Sequence, residues 1–241
     1  WNHNPDNNAW SLMENPGNLR LHTSGITKKG LLQARNSLTQ RIWSYVPEGT
    51  TSSRVWNSYG TIKMNISNMQ NGDVAGIAVF QDPYSLIGVK QIDGKRYLYS
   101  ELTYVTPQDG TNESKLGDEI TSDVIYLRAM VNFGTNKAKF YYSLDNQTYT
   151  QFGVEMNMRF ELSVFVGQRF YIFNYATEQN GGFVDVDWFT TEPVYDESYF
   201  FGEGVLHTYT KEELTMASLS LSKTSYRVPT GATSVVDIIC I

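Results

Sequence analysis

Short runs of alternating apolar and polar residues, broken by Gly, Asn and Asp, fill most of the chain, and helical periodicity is almost absent. The pattern predicts strands at Leu19–His22, Leu31–Trp43, Gly60–Ile66, Val74–Gln81, Leu86–Ile92, Arg96–Leu102, Ile125–Phe133, Lys139–Leu144, Phe170–Tyr175 and Phe183–Thr190. Asn71-Gly72-Asp73, Asp93-Gly94 and Gly181-Gly182 supply the positive-φ positions that tight reversals between strands need. Many short strands so spaced predict an all-β sandwich.

A period of two assigns faces. In Leu31–Trp43 it sets Leu32, Ala34, Leu38 and Ile42 against Gln33, Arg35, Thr39, Arg41 and Trp43. In Ile125–Phe133 the inward set is Ile125, Leu127, Ala129, Val131 and Phe133, which leaves Tyr126, Arg128, Met130 and Asn132 outward. Both strands carry Arg with an aromatic on the non-core face. Side by side on one sheet, the two faces would form a polar cleft in which Arg35, Arg41, Tyr126, Arg128 and Asn132 meet a ligand. The alternative is a solvated outer sheet with surface arginines.

Three segments carry a family resemblance: WNHNPDNNAWSL (Trp1–Leu12), LLQARNSLTQR (Leu31–Arg41) and YATEQNGGFVDVDWF (Tyr175–Phe189). In that order and spacing they resemble the β-sandwich that follows the catalytic propeller in family 43 glycoside hydrolases, a family of β-xylosidases and α-L-arabinofuranosidases. The same sandwich is known as carbohydrate-binding module family 91, a xylan-binding type. The resemblance covers about residues 1–192. It implies a jelly-roll β-sandwich of the concanavalin A-like kind and a non-catalytic module for xylan or xylo-oligosaccharides. The implied partner is the catalytic propeller of a parent β-xylosidase or arabinofuranosidase, in a secreted or cell-surface protein of bacterial type. A rival reading is an accessory domain that packs on the propeller and shapes its active site without binding sugar itself. In two-domain enzymes of this family a sandwich loop reaches toward the propeller. Phe165, in Leu162–Tyr175, is a candidate for that contact, with a core Phe as the alternative.

Val184-Asp185-Val186-Asp187-Trp188 puts two carboxylates on one face of a strand, together with Phe183 and Phe189. A carboxylate there needs a cation or hydrogen-bond donors. In jelly-roll sugar-binding domains an Asp in the last strand often helps hold a structural Ca²⁺ near the N-terminal segment. Asp187 matches that pattern, and Asn2, Asn4 and Asp6 offer the oxygen ligands such an ion takes. The alternative for Asp187 is a hydrogen-bond anchor or an Arg partner. His3, one of only three histidines, reads as part of the Asn4-Pro5-Asp6 turn rather than as a catalytic or liganding group.

Nucleophile motifs are missing from the sequence, and no pair of acids has the spacing used by single-domain jelly-roll glucanases, so the chain by itself is read as non-catalytic. A net charge of −6 leaves no basic stripe for nucleic acid or for an anionic membrane surface, and no apolar run reaches the ~18 residues of a spanning helix. The single cysteine, Cys240, allows no internal disulfide. The 16 tyrosines offer flat faces with a polar edge, suited to sugar stacking as well as to packing. After Thr190 the composition shifts. Residues 193–241 read as a linker followed by extra strands or by the opening of an immunoglobulin-like domain. The start at Trp1 and the stop within a β-like run read as a piece of a longer protein.

Overall fold

The computed structural model describes residues 6–42, 57–164 and 166–194. In chain order its strands are β1 (Trp10–Ser11), β2 (Leu19–His22), β3 (Leu38–Arg41), β4 (Asn57–Asn65), β5 (Asp73–Phe80), β6 (Tyr84–Ile92) and β7 (Lys95–Thr103). They continue as β8 (Glu113–Glu119), β9 (Val124–Asn132), β10 (Lys137–Ser143), β11 (Thr150–Gln151), β12 (Met156–Asn157), β13 (Arg169–Ala176) and β14 (Phe183–Val194). Two antiparallel sheets result. An eight-stranded sheet runs β1-β2-β14-β4-β9-β10-β11, with β12 added on β10, and a six-stranded sheet runs β3-β13-β5-β6-β7-β8.

The alternation creates this arrangement. On β9, Ile125, Leu127, Ala129 and Val131 are fully buried, as the period-two reading requires, and with Ile62, Met64 and Phe140 they form one wall of the main core. Ile77, Val79, Ile87, Val89, Phe170 and Ile172 of the six-stranded sheet supply the other wall. Asp93 and Gly94, with φ of 50° and 77°, close the β6–β7 hairpin through two consecutive positive-φ residues, which suits the twist of the flanking strands.

The six-stranded sheet is covered on its outer side too. All eight residues of β5 are buried, because Val74, Ala78 and Phe80 pack outward into a second cluster with Tyr84, Leu86, Tyr171, Phe173 and Tyr175. Phe80 lies 4.2 Å from Tyr171, ring to ring, in a stack. Leu31 and Ala34 cap this cluster.

That cap explains one departure from the predicted strands. Gly30–Gln33 is a 3-10 turn and only Leu38–Arg41 is strand, so Leu31–Trp43 is not one extended element. The Gln33 side-chain oxygen accepts the N–H groups of Lys28 and Lys29, and Gly30 takes a φ of 52°; both favour a turn over a strand. In the turn, Leu31 and Ala34 are buried on the sheet face, while Leu32, expected inward, is only partly buried. β8, absent from the sequence reading, is almost wholly exposed and carries no alternation; pairing with the edge of β7 makes it a strand.

A register shift in β14 between Val186 and Trp188 is the other correction. This bulge changes the phase of the strand, so Phe189 packs inward on the core while Trp188 faces outward beside Tyr126. Phe183, Asp185, Asp187 and Phe189 therefore do not share a face. β14 continues to Val194, and the tail expected beyond it lies outside the described residues.

Candidate functional site

The outer face of the eight-stranded sheet is an aromatic and cationic surface. Cross-strand register puts Thr61 opposite Arg128 and Lys63 opposite Tyr126 on β4 and β9, and Tyr141 opposite Arg128 on β10. The Arg128 Nε donates to Thr61 Oγ1 at 2.9 Å. Its guanidinium carbon lies 3.7 Å from the Tyr149 ring centroid and 5.0 Å from that of Tyr59, so the cation is held between two rings. Tyr126 and Trp188 sit with ring centroids 6.0 Å apart, and Trp188, Tyr126, Tyr59, Tyr141 and Tyr149 are each half-buried. Half-burial fixes a ring while leaving area for a ligand. The acids nearby are occupied: Asp187 pairs with Lys63 at 2.6 Å, and Glu155 with Lys137 and Lys139.

The predicted binding residues divide between two sheets. Tyr126, Arg128 and Asn132 lie on this face, although the Asn132 side-chain oxygen accepts the Thr135 N–H and so closes the β9–β10 turn. Arg41 lies on β3, which pairs only with β13 in the other sheet, opposite Arg169. Arg35 is exposed on the segment that leads into β3, 4.0 Å from Asp6. The single cleft expected from these five residues is therefore not formed. The period-two reading placed residues on faces, but it cannot say which strands become neighbours. Tyr149, in a loop, had no signal in the alternation; Trp188 was hidden by the bulge.

Asp187 is exposed on β14. Its carboxylate pairs with Lys63, and among the described residues no three His, Cys, Asp or Glu side chains gather; Asn2 and Asn4, which the calcium expectation joins to it, lie outside those residues. The ion-pair role is the one observed, with Lys63 rather than an arginine. Asp185 is the partner of an arginine: Arg20 Nε and Nη2 donate to its two oxygens at 2.8 and 2.9 Å, and Asn15 adds a third bond. Burial opposes the Asp185 charge, yet Arg20 and Asn15 outweigh it and hold the carboxyl below its usual range. Asn2, His3, Asn4, Phe165 and Cys240 lie outside the described residues.

Across the outer side of the six-stranded sheet lies a cavity of about 490 Å³. Alternate residues of β7, Tyr99, Glu101 and Thr103, face it. Glu101 collects three hydroxyl donors: Tyr84 at 3.0 Å and Thr103 at 2.6 Å on Oε1, and Tyr99 at 2.9 Å on Oε2. The Tyr-x-Glu-x-Thr row was legible in the sequence as alternation, but its convergence with Tyr84 was not.

A third feature is the loop from Arg159 to Val164. The fully buried Gln81 donates from Nε2 to the carbonyls of Glu161 and Val164 at 2.7 and 2.8 Å, and its Oε1 accepts the Glu161 N–H. Buried Asp82 accepts from Ser163, Thr106 and the Val105 N–H, with Arg159 3.8 Å away. Burial opposes the Asp82 charge, but these donors outweigh it and keep its pKa low. On this anchored loop Phe160 and Leu162 are 60% and 72% exposed.

Two antiparallel sheets, one with a packed inner face and an aromatic outer face, form a β-sandwich of the concanavalin A-like kind. Residues 1–192 match the family of the β-xylosidase C-terminal concanavalin A-like domain, and the chain belongs to that family. It is 31% identical over 210 residues to a β-xylosidase of Formosa agariphila, covering 79% of this chain and 32% of that protein. A bifunctional GH43-CE protein of Bacteroides eggerthii superposes with a TM-score of 0.71 at 35% identity, over 81% of this chain and 24% of that one. An engineered GH43 glycoside hydrolase described as displaying endo-xylanase and exo-arabinofuranosidase activity gives 0.68 at 29% identity, over 80% and 38%. The chain thus spans about a third of the length of the curated relative it matches.

Proposed function

We propose that this domain is the non-catalytic C-terminal module of a family 43 glycoside hydrolase acting on xylan-type polysaccharide, and that it holds xylan or xylo-oligosaccharide chains on the outer face of its eight-stranded sheet. The observation that carries the reading is Arg128 clamped between Tyr59 and Tyr149, with Tyr126 and Trp188 alongside. Flat rings stack on pyranose faces, and the fixed guanidinium has N–H groups left to donate to sugar hydroxyls. Asp187 and Glu155, the acids described on this face, are ion-paired, which suits binding rather than hydrolysis. Such surface sites are weak, and attachment to a hydrolase makes them useful by raising the local substrate concentration. Calorimetric titration of the chain with xylohexaose and cellohexaose tests the proposal. Xylohexaose binding that falls about tenfold in a folded Tyr126→Ala/Trp188→Ala variant is expected, from a loss of about 1 kcal/mol or more in ring contacts. Unchanged affinity in that variant would refute it.

The anchored Arg159–Val164 loop favours a second, compatible role: docking on a catalytic domain. Exposed Phe160 and Leu162 on a loop held by two buried polar side chains have the form of a contact surface.

A further inference from the structure

The cavity over the six-stranded sheet combines features that the outer-face reading does not use. Its floor is aromatic, with Tyr84 and Tyr175 almost wholly buried and Tyr99 half-buried. Burial, reinforced by the Glu101 charge, pushes the hydroxyls of Tyr84 and Tyr99 well above the ordinary tyrosine range. Both therefore remain O–H donors at neutral pH, and with Thr103 they disperse the negative charge of Glu101.

Three lysines stand around this hydrogen-bonded carboxylate. Lys28, Lys29 and Lys90 line the same cavity, and Lys90 Nζ stands 5.5 Å from the centre of the Tyr99 ring. Among the described residues none of the three has a carboxylate within ion-pair distance, whereas Lys63, Lys95, Lys137 and Lys139 each do. Of the described lysines without an ion pair, Lys28, Lys29 and Lys90 share this hollow, while Lys115 sits over the Phe152 ring elsewhere. Convergent polar groups above an aromatic floor, in a volume within the usual 300–1,000 Å³ range, are the marks of a small-ligand site.

We propose that this cavity binds a carboxylated sugar, a uronic-acid residue, whose hydroxyls meet the Glu101–Tyr99 cluster and whose carboxylate meets Lys28, Lys29 and Lys90. The proposal rests on the reading of this chain as a glycan-binding module and adds a second site on the opposite sheet. A neutral pentose would leave the lysines unanswered. A simple anion would leave the ring face and the Glu101 acceptors unused. Both sources of such a ligand, a free uronic acid and a uronic-acid side group on a xylan chain, present the same chemistry to the cavity.

The test is calorimetric titration of the full chain with four probes: glucuronic acid, xylotriose bearing one glucuronic-acid group, bare xylotriose and acetate. The acid-bearing xylotriose is expected to bind about tenfold tighter than bare xylotriose, the scale of one charge-assisted hydrogen bond. That preference should shrink with added salt and disappear in Lys90→Gln and, independently, in Lys28→Gln/Lys29→Gln. Free glucuronic acid that binds as tightly as the acidic oligosaccharide would identify the free sugar as the ligand. Weaker binding of the free acid would identify the side group. Equal affinity for acidic and bare xylotriose overturns the proposal, as does acetate displacing the acidic sugar at equal concentration, or a preference that survives both folded lysine variants. Xylohexaose titration decides the outer-face reading separately. A chain that binds xylohexaose but shows no preference for the acid keeps that reading and loses this one, and the opposite result does the reverse.

Discussion

Asp73 opens β5 with no exposed surface, and its environment makes a quantitative prediction. Oδ2 accepts the Gln70 N–H at 2.7 Å, while Oδ1 has no partner among the described residues. The loop before β14 closes over the carboxylate so tightly that a Cβ on Gly182 would stand 1.7 Å from Oδ2. Burial accordingly pushes its pKa from the ordinary 3.8 to about 6, against the opposing pull of the Gln70 bond. Because the folded value is the higher one, the stabilising contribution is complete below about pH 4, where both states are protonated. It is lost as pH rises toward 6, since the unfolded chain ionises first. A rise from 3.8 to about 6 corresponds to about 3 kcal/mol. Asp73→Asn keeps an acceptor for Gln70 and removes the charge. Urea unfolding followed by tryptophan fluorescence, at several pH values from 4 to 7.5, should show similar stabilities for the two proteins at pH 4. At neutral pH the variant should be ahead by up to about 3 kcal/mol. A difference that stays within about 0.5 kcal/mol across the range, or that moves in the variant's disfavour as pH rises, would refute the argument.

Two further outcomes follow from buried charges elsewhere. Asp185→Ala takes the two short bonds from the Arg20 guanidinium, whose side chain is 17% exposed, and leaves it, among the described acids, only Glu14 at 3.4 Å, which should cost about 3 kcal/mol in urea unfolding at pH 7. Because the Asp185 pKa is depressed in the folded state, the wild-type advantage should be full above about pH 4 and fade as pH falls through the folded value, which the same titration measures. Asp82→Ala leaves the N–H groups of Val105 and Thr106 and the hydroxyl of Ser163 without their acceptor, so hydrogen exchange in residues 161–164 should accelerate at least tenfold while β9 amides stay protected; unchanged exchange in the loop would show that Gln81 alone anchors it.

Much of the architecture is present in the amino-acid order itself. Alternation on β9 and turn chemistry at Asp93-Gly94 are local properties, set by side-chain direction along a strand and by the φ that glycine and aspartate tolerate. They locate the main strands to within a few residues, along with the inward faces of those that pack on one side only. The family signature in Trp1–Leu12, Leu31–Arg41 and Tyr175–Phe189 likewise needs no coordinates. The tertiary structure alone decided which faces meet. β3 and β9 each carry Arg on an outward face, yet they join different sheets, because pairing is settled by hydrogen-bonded neighbours and not by the face pattern of either strand. Leu31 and Ala34 look like strand residues and instead cap a second cluster, since any apolar pair can bury itself against whichever surface the fold leaves open. The bulge at Asp187 shifts the phase of β14 by one residue, turning Trp188 outward beside Tyr126, and the hub at Glu101 joins Tyr84 to Tyr99 across β6 and β7. Contacts such as these depend on register between strands, a non-local quantity that no window of sequence contains.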